Sequence, residues 1–94
     1  MQLGIFGAEF LGTFILVLSI LATSNPLYIA AAFLAAITII SKVSGGHINP
    51  VVTLAMFMNG SLTAAQVLAY VPAQILGALA AYYAFKKVYM SSSS

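Results

Sequence analysis

Three long apolar runs, set apart by short polar breaks, decide what this chain can fold into. The first extends from about Leu3 to Ala22 and ends at Thr23-Ser24-Asn25-Pro26. The second covers about residues 27–40 and ends at Ser41-Lys42, with a helix extended to about residue 43 at the interface, and the third covers about residues 62–85 and stops at Lys86-Lys87. About twenty helical residues rising 1.5 Å each span roughly 30 Å, the thickness of a bilayer's hydrocarbon core. Only 4% of the 94 residues are charged, against about a quarter in a soluble domain. So few charges cannot solvate a globule, and lipid is the solvent this chain requires.

The balance of +2, from Lys42, Lys86 and Lys87 against Glu9, is too small for a row of phosphate contacts, so nucleic acid is not a partner. The chain has no Cys, hence no disulfide framework and no thiolate metal site. No carboxylate pair, Ser/His/Asp set or phosphate-cradling loop is present, and no enzymatic activity, cofactor or metal is expected. The first run lacks a basic leader and carries Glu9 early, so it reads as a retained helix rather than a signal peptide.

Between the second and third runs stands Ser44-Gly45-Gly46-His47-Ile48-Asn49-Pro50-Val51-Val52-Thr53. Gly45 and Gly46 permit non-helical backbone, Asn49 is a good N-cap, and Pro50 suits the first helical position. Asn59-Gly60 ends the helix begun there, over residues 50–58. Roughly 14 Å of helix crosses half a bilayer. A re-entrant half-helix is therefore expected, with its N-terminal N–H groups and positive dipole end facing a wet cavity. The fold class is all-α: three transmembrane helices and one half-helix in a single unit over residues 1–90, with a disordered Ser91–Ser94 tail.

That motif, with Ala8-Glu9-Phe10-Leu11-Gly12-Thr13-Phe14 and Ala73-Gln74-Ile75-Leu76-Gly77-Ala78, resembles the aquaporin and glycerol-facilitator family, whose signature reads SGGHxNPAVT. The resemblance covers nearly the whole chain. It implies a fold of two inverted repeats whose half-helices meet at the membrane centre, where paired Asn side chains donate to passing water. A single repeat is present here, since Asn25-Pro26 lies in the turn between the first two helices. The missing half is expected from a second copy inserted upside down, and the family's assembly into tetramers of pores extends this to eight chains. Lys42 and the terminal amine at one end nearly balance Lys86 and Lys87 at the other, a weak orientation preference that suits dual insertion.

The resemblance places Asn49, Pro50 and Val51 at the pore centre, Ile29, Ile37, Gly46 and Val52 at the constriction, and Glu9, His47 and Gln74 in support of the loop. Val51 replaces the signature's Ala and would narrow or dry the centre. The chain has no Arg, so an all-apolar constriction replaces the family's usual filter. That points to water or small neutral solutes rather than strict water selectivity.

Each polar residue has a plainer reading. Glu9 serves as a proton relay or, better supported for a lone acid, as an acceptor for the loop. His47 is a pH switch or a neutral imidazole fixing the loop, and with no second His or Cys it makes no metal site. Gln74 and the helix-kinking Pro72 shape the cavity. Gly4, Ala8 and Gly12, and Ala73, Gly77 and Ala81, form small-residue stripes for helix packing that also offer surfaces to a second copy. Tyr82, Tyr83 and Tyr89 suit an interfacial belt. Asn59-Gly60-Ser61 matches a glycosylation sequon expected to go unused so near the membrane. Two further readings stand beside the channel. One is a membrane protein that pairs with and modulates a full-length aquaporin, and the other is a non-conducting fragment of a longer channel.

Overall fold

The computed structural model describes residues 2–93, with side chains over residues 2–89. Four helices follow one another: α1 (Gln2–Ala22), α2 (Pro26–Ser44), α3 (Pro50–Met58) and α4 (Ala64–Ser93). α1, α2 and the Ala64–Tyr89 stretch of α4 are long and apolar enough to cross a membrane. α3, at nine residues, is not.

Local chemistry sets most boundaries. α2 and α3 both begin with an Asn cap and a Pro in the first turn: Asn25 accepts from the Leu27 amide at 2.9 Å, and Asn49 from Val51 at 2.8 Å. α2 ends where Gly45 turns left-handed at φ 84° and sends its amide to the Ser41 carbonyl. α4 starts two residues later than the apolar run at Leu62. Thr63 and Gln66 form a reciprocal capping box, each side chain accepting the other's amide, at 3.2 and 2.8 Å.

The expected tail is corrected by the structure. α4 continues through Ser93, and only Ser94 of that tail lies outside the described residues. No Gly or Pro follows Gly77, and each added residue of an existing helix gains a backbone hydrogen bond without a new nucleation cost.

α1 is the central helix, packed on α2 along one side and α4 along the other, while α3 packs on α4. At one end Leu3 and Phe6 sit beside Ala65 and Leu68, and at the other Leu18 and Ala22 sit beside Ala84 and Phe85, so α1 and α4 run parallel. Ala73 and Ala81 are fully buried. A Cβ on Gly77 would lie 2.6 Å from the Phe10 carbonyl oxygen, and one on Gly12 the same distance from Ile40 Cδ1. The contact points of both stripes are thus filled within the chain, Gly77 against α1 and Gly12 against α2, which leaves those contacts no room for a second copy.

Candidate functional site

The loop of residues 45–49 has no regular structure of its own, and its amides need partners. Glu9, fully buried on α1, supplies them. Its Oε2 accepts from the His47 amide at 3.1 Å and the Ser44 hydroxyl at 2.5 Å. Its Oε1 accepts from the Ile48 amide at 2.7 Å and from Gln74 Nε2 at 3.0 Å. Four donors from α2, the loop and α4 converge on one carboxylate, which answers the cost of an acid at membrane depth. Ser44 Oγ in turn accepts the Gly46 amide at 3.2 Å.

A second layer fixes the imidazole. His47 Nδ1 and Thr53 Oγ1 are 2.9 Å apart, and Gln74 Nε2 donates to the same Thr53 oxygen at 2.9 Å. Thr53 is the one buried residue of α3, so this contact pins the half-helix to the bundle. The His47 ring stacks on Tyr70 with centroids 4.1 Å apart and planes 13° from parallel. The Tyr70 hydroxyl donates to the Ser44 carbonyl, tying α4 to the end of α2. Ser44, Thr53 and Tyr70 thus join Glu9, His47 and Gln74 in one network, although none of the three stood out in the sequence. Ser44 and Thr53 bound the quoted motif, and Tyr70 lies one helical turn before Gln74 on the same face, which is the signal available for it.

The other side of the loop opens onto a cavity of about 370 Å³. Leu16 of α1, Pro26, Ile29, Ala30 and Phe33 of α2, the loop's His47 and Asn49, and Val52 of α3 line it. Asn49 and Pro50 are exposed in the single chain. Asn49 Oδ1 is held by its capping bond, and Nδ2 has no hydrogen-bond partner among the described residues. Of the four residues assigned to the constriction, Ile29 and Val52 line the cavity. Ile37 and Gly46 pack against each other, since a Cβ on Gly46 would meet Ile37 Cγ2 at 3.2 Å. Val51 is 71% exposed on α3 and is not among the cavity-lining residues. Pro50 and Asn49 also border a second groove of about 330 Å³ with Thr13, Gln74 and Ile75. Two buried polar atoms lie without a hydrogen bond among the described residues, Thr13 Oγ1 and Gln74 Oε1.

The half-helix is only half covered. Leu54 and Met58 are 59% and 76% exposed, and the cavity wall is open where no helix of this chain stands. Near the far end of α4, Tyr82 and Tyr83 are exposed and meet edge to face, with Lys86 Nζ 5.6 Å above the Tyr82 ring.

Glycerol uptake facilitator protein-like 6 of Lactiplantibacillus plantarum is 44% identical over 88 residues, covering 84% of this chain and 41% of that protein. Aquaporin Z of Brucella melitensis is 42% identical over 89 residues, covering 79% of this chain and 39% of its own. Aquaporin NIP3-1 of Oryza sativa subsp. japonica is 38% identical over 99 residues, covering 88% and 31%. The chain therefore spans about two-fifths or less of the length of these relatives. No solved structure gives a significant match. The model of the Major intrinsic protein family matches residues 26–94, and with its three apolar helices the chain is an integral, multi-pass membrane protein that belongs to the major intrinsic protein family.

Proposed function

We propose that this chain forms one half of a passive membrane pore for water or small neutral solutes, completed by a second copy in inverted orientation. The observation that carries the reading is the open cavity itself. Its wall is apolar apart from His47 and Asn49, and the free Asn49 amide stands beside the N-terminus of a half-helix that only α4 covers. A site with a few convergent polar groups on an apolar wall orients a solute without trapping it. The amide protons and the positive dipole end of α3 oppose cations.

An inverted copy supplies what the single chain lacks: a wall opposite α2 and cover for Leu54 and Met58. Asn49 then orients solute at the centre, with Pro50 and Val51 setting the half-helix tip, and Ile29, Ile37, Gly46 and Val52 bound the narrow region. Glu9, His47 and Gln74 hold the loop. The names of the relatives, a glycerol uptake facilitator and aquaporins, support this solute class.

The test is osmotic shrinkage of liposomes that contain only the purified chain, with Asn49→Asp as control. Fast shrinkage abolished by the control supports a complete pore built from copies of this chain. Folded protein that shrinks no faster than empty liposomes sinks self-sufficiency. The other reading is a membrane protein that pairs with and modulates a full-length aquaporin. In that case this chain conducts nothing alone and changes the rate of a full-length family member reconstituted with it.

A further inference from the structure

Of the three prolines, Pro26 and Pro50 open α2 and α3, and Pro72 stands inside α4. A proline there has no N–H for the carbonyl four residues back, that of Leu68. Its ring also crowds that carbonyl, so the helix bends away from it. Leu68 is 72% exposed, which puts the missing bond on the outer face of α4. Bending is therefore cheaper at Pro72 than elsewhere in α4, and the hollow side of the bend faces the bundle.

The residues on either side of Pro72 hold different parts of the site. Tyr70 and Gln74 are four apart and share the inward face, and Pro72, two from each, lies opposite. In the segment before Pro72, the Tyr70 hydroxyl donates to the Ser44 carbonyl and its ring stacks on His47, so this segment carries the end of α2 and the start of the loop. In the segment after it, Gln74 bonds Glu9 of α1 at 3.0 Å and Thr53 of α3 at 2.9 Å. Gly77 seats that same segment closely on the Phe10 carbonyl. Pro72 thus divides the contacts that place His47 from those that place the half-helix, and His47 and Val52 of that half-helix line one cavity.

α4 is also the span that bilayer thickness acts on most. Its apolar stretch Ala64–Tyr89 has 26 residues, against 21 in α1 and 19 in α2. At 1.5 Å per residue this stretch is about 39 Å long, more than the roughly 30 Å hydrocarbon core. Exposed Tyr82, Tyr83, Lys86 and Lys87 near one end, and the polar capping pair Thr63 and Gln66 at the other, favour the two interfaces. A span held at both interfaces answers a thinner bilayer by tilting or bending. We propose that Pro72 is a positioning residue that makes the width of the pathway respond to bilayer thickness. A thinner membrane bends α4 at Pro72, draws the Tyr70 and Gln74 contacts together and narrows the cavity between His47 and Val52. The role rests on the pore reading above.

The test reconstitutes the full chain in vesicles of dimyristoleoyl or dieicosenoyl phosphatidylcholine, a thin and a thick fluid bilayer. Stopped-flow light scattering gives water and glycerol permeability per protein, and oriented nitrogen-15 NMR gives the tilt of α4 on each side of Pro72. The expected result is glycerol permeability several-fold lower in the thin bilayer, with water falling less, and a larger angle between the two segments there. Pro72→Ala restores the N–H and is expected to conduct equally in both bilayers with a straight α4. Equal rates for the unaltered chain in both bilayers overturn the proposal and leave the pore standing. A thickness dependence that survives in Pro72→Ala overturns it as well. Conduction in neither bilayer sinks the pore reading, and the role of Pro72 with it, whatever the angle.

Discussion

Glu9 Oε1 accepts the amide proton of Ile48 at 2.7 Å, and Ile48 is the one non-glycine residue with positive φ, 60°, among the described residues. A β-branched side chain in the left-handed region costs about 1–2 kcal/mol, and such strain persists only where the surroundings over-determine it. Here the carboxylate holds the amide while the side chain, 4% exposed, packs with Ala36 and Ile40. Glu9→Gln keeps the volume but turns an amide donor toward obligate donors. Hydrogen bonds to a charged group contribute about 1.5–3 kcal/mol each, so losing the two on one oxygen is expected to cost about 3 kcal/mol or more. Thermal unfolding in detergent reads this directly. An unchanged midpoint would return Glu9 to a role, such as proton relay, that does not bear on the fold.

The contact between α1 and α4 yields a second expectation. A Cβ on Gly77 meets backbone, the Phe10 carbonyl, at 2.6 Å, whereas one on Gly12 meets the flexible end of Ile40 at 2.6 Å. Side-chain ends move more cheaply than helices. Gly77→Ala should therefore destabilise by about 1–3 kcal/mol, and Gly12→Ala by less. Gly7, with nothing within 4 Å of its Cβ position, is the control. Gly7→Ala should be neutral or raise the unfolding midpoint, since Ala is the better helix former by about 1 kcal/mol.

What was legible in the sequence was what local chemistry decides. The start of α3 at Pro50 and its end at Met58 follow from a cap, a proline and an Asn-Gly pair that lie at the element's two ends. The start of α4 was less legible, because Leu62 reads as part of the apolar run while Thr63 and Gln66 cap the helix after it. The pairings of Ser44, Thr53 and Tyr70 were not legible for another reason. Their partners Glu9, Gln74 and Ser44 lie 35, 21 and 26 residues away, and no periodicity encodes such a pairing. The small-residue stripes could not reveal which neighbour they serve, because tight packing needs the same residues on either side.

Val51 and Val52 separate two roles that adjacent, like residues cannot reveal in sequence. Val52 lines the cavity at 41% exposure, and Val51 is 71% exposed away from it. Val52→Ala should raise the permeability of liposomes to three-carbon neutral solutes several-fold. Val51→Ala should raise it as well, because the proposed inverted copy brings the half-helix tip to the pore centre, and neither should move stability by more than about 1 kcal/mol, because both are exposed in the chain. Stopped-flow light scattering against a glycerol gradient is the measurement. No effect from Val51 would mean that this side chain stays outside the completed pore and that Val52 alone sets the width of this half.

Charge placement gives the expectation most specific to an inverted pair. Because α1 and α4 run parallel, Lys42 at the end of α2 stands at one face of the membrane and Lys86 and Lys87 at the other. Lys near a span end favours the cytoplasmic side, and few charges on each face leave the choice nearly open. Lys86→Ala with Lys87→Ala should fix the chain with its Lys42 face inside, and Lys42→Ala should fix it the other way. Accessibility of a single introduced cysteine to a membrane-impermeant reagent reports the orientation in each case. Each fixed variant expressed alone should then shrink vesicles no faster than empty membrane, and co-expression of the two should restore the native rate. Full conduction by one fixed variant alone would rule out the inverted pair, because copies of a single orientation cannot bring two half-helix N-termini together at the midplane.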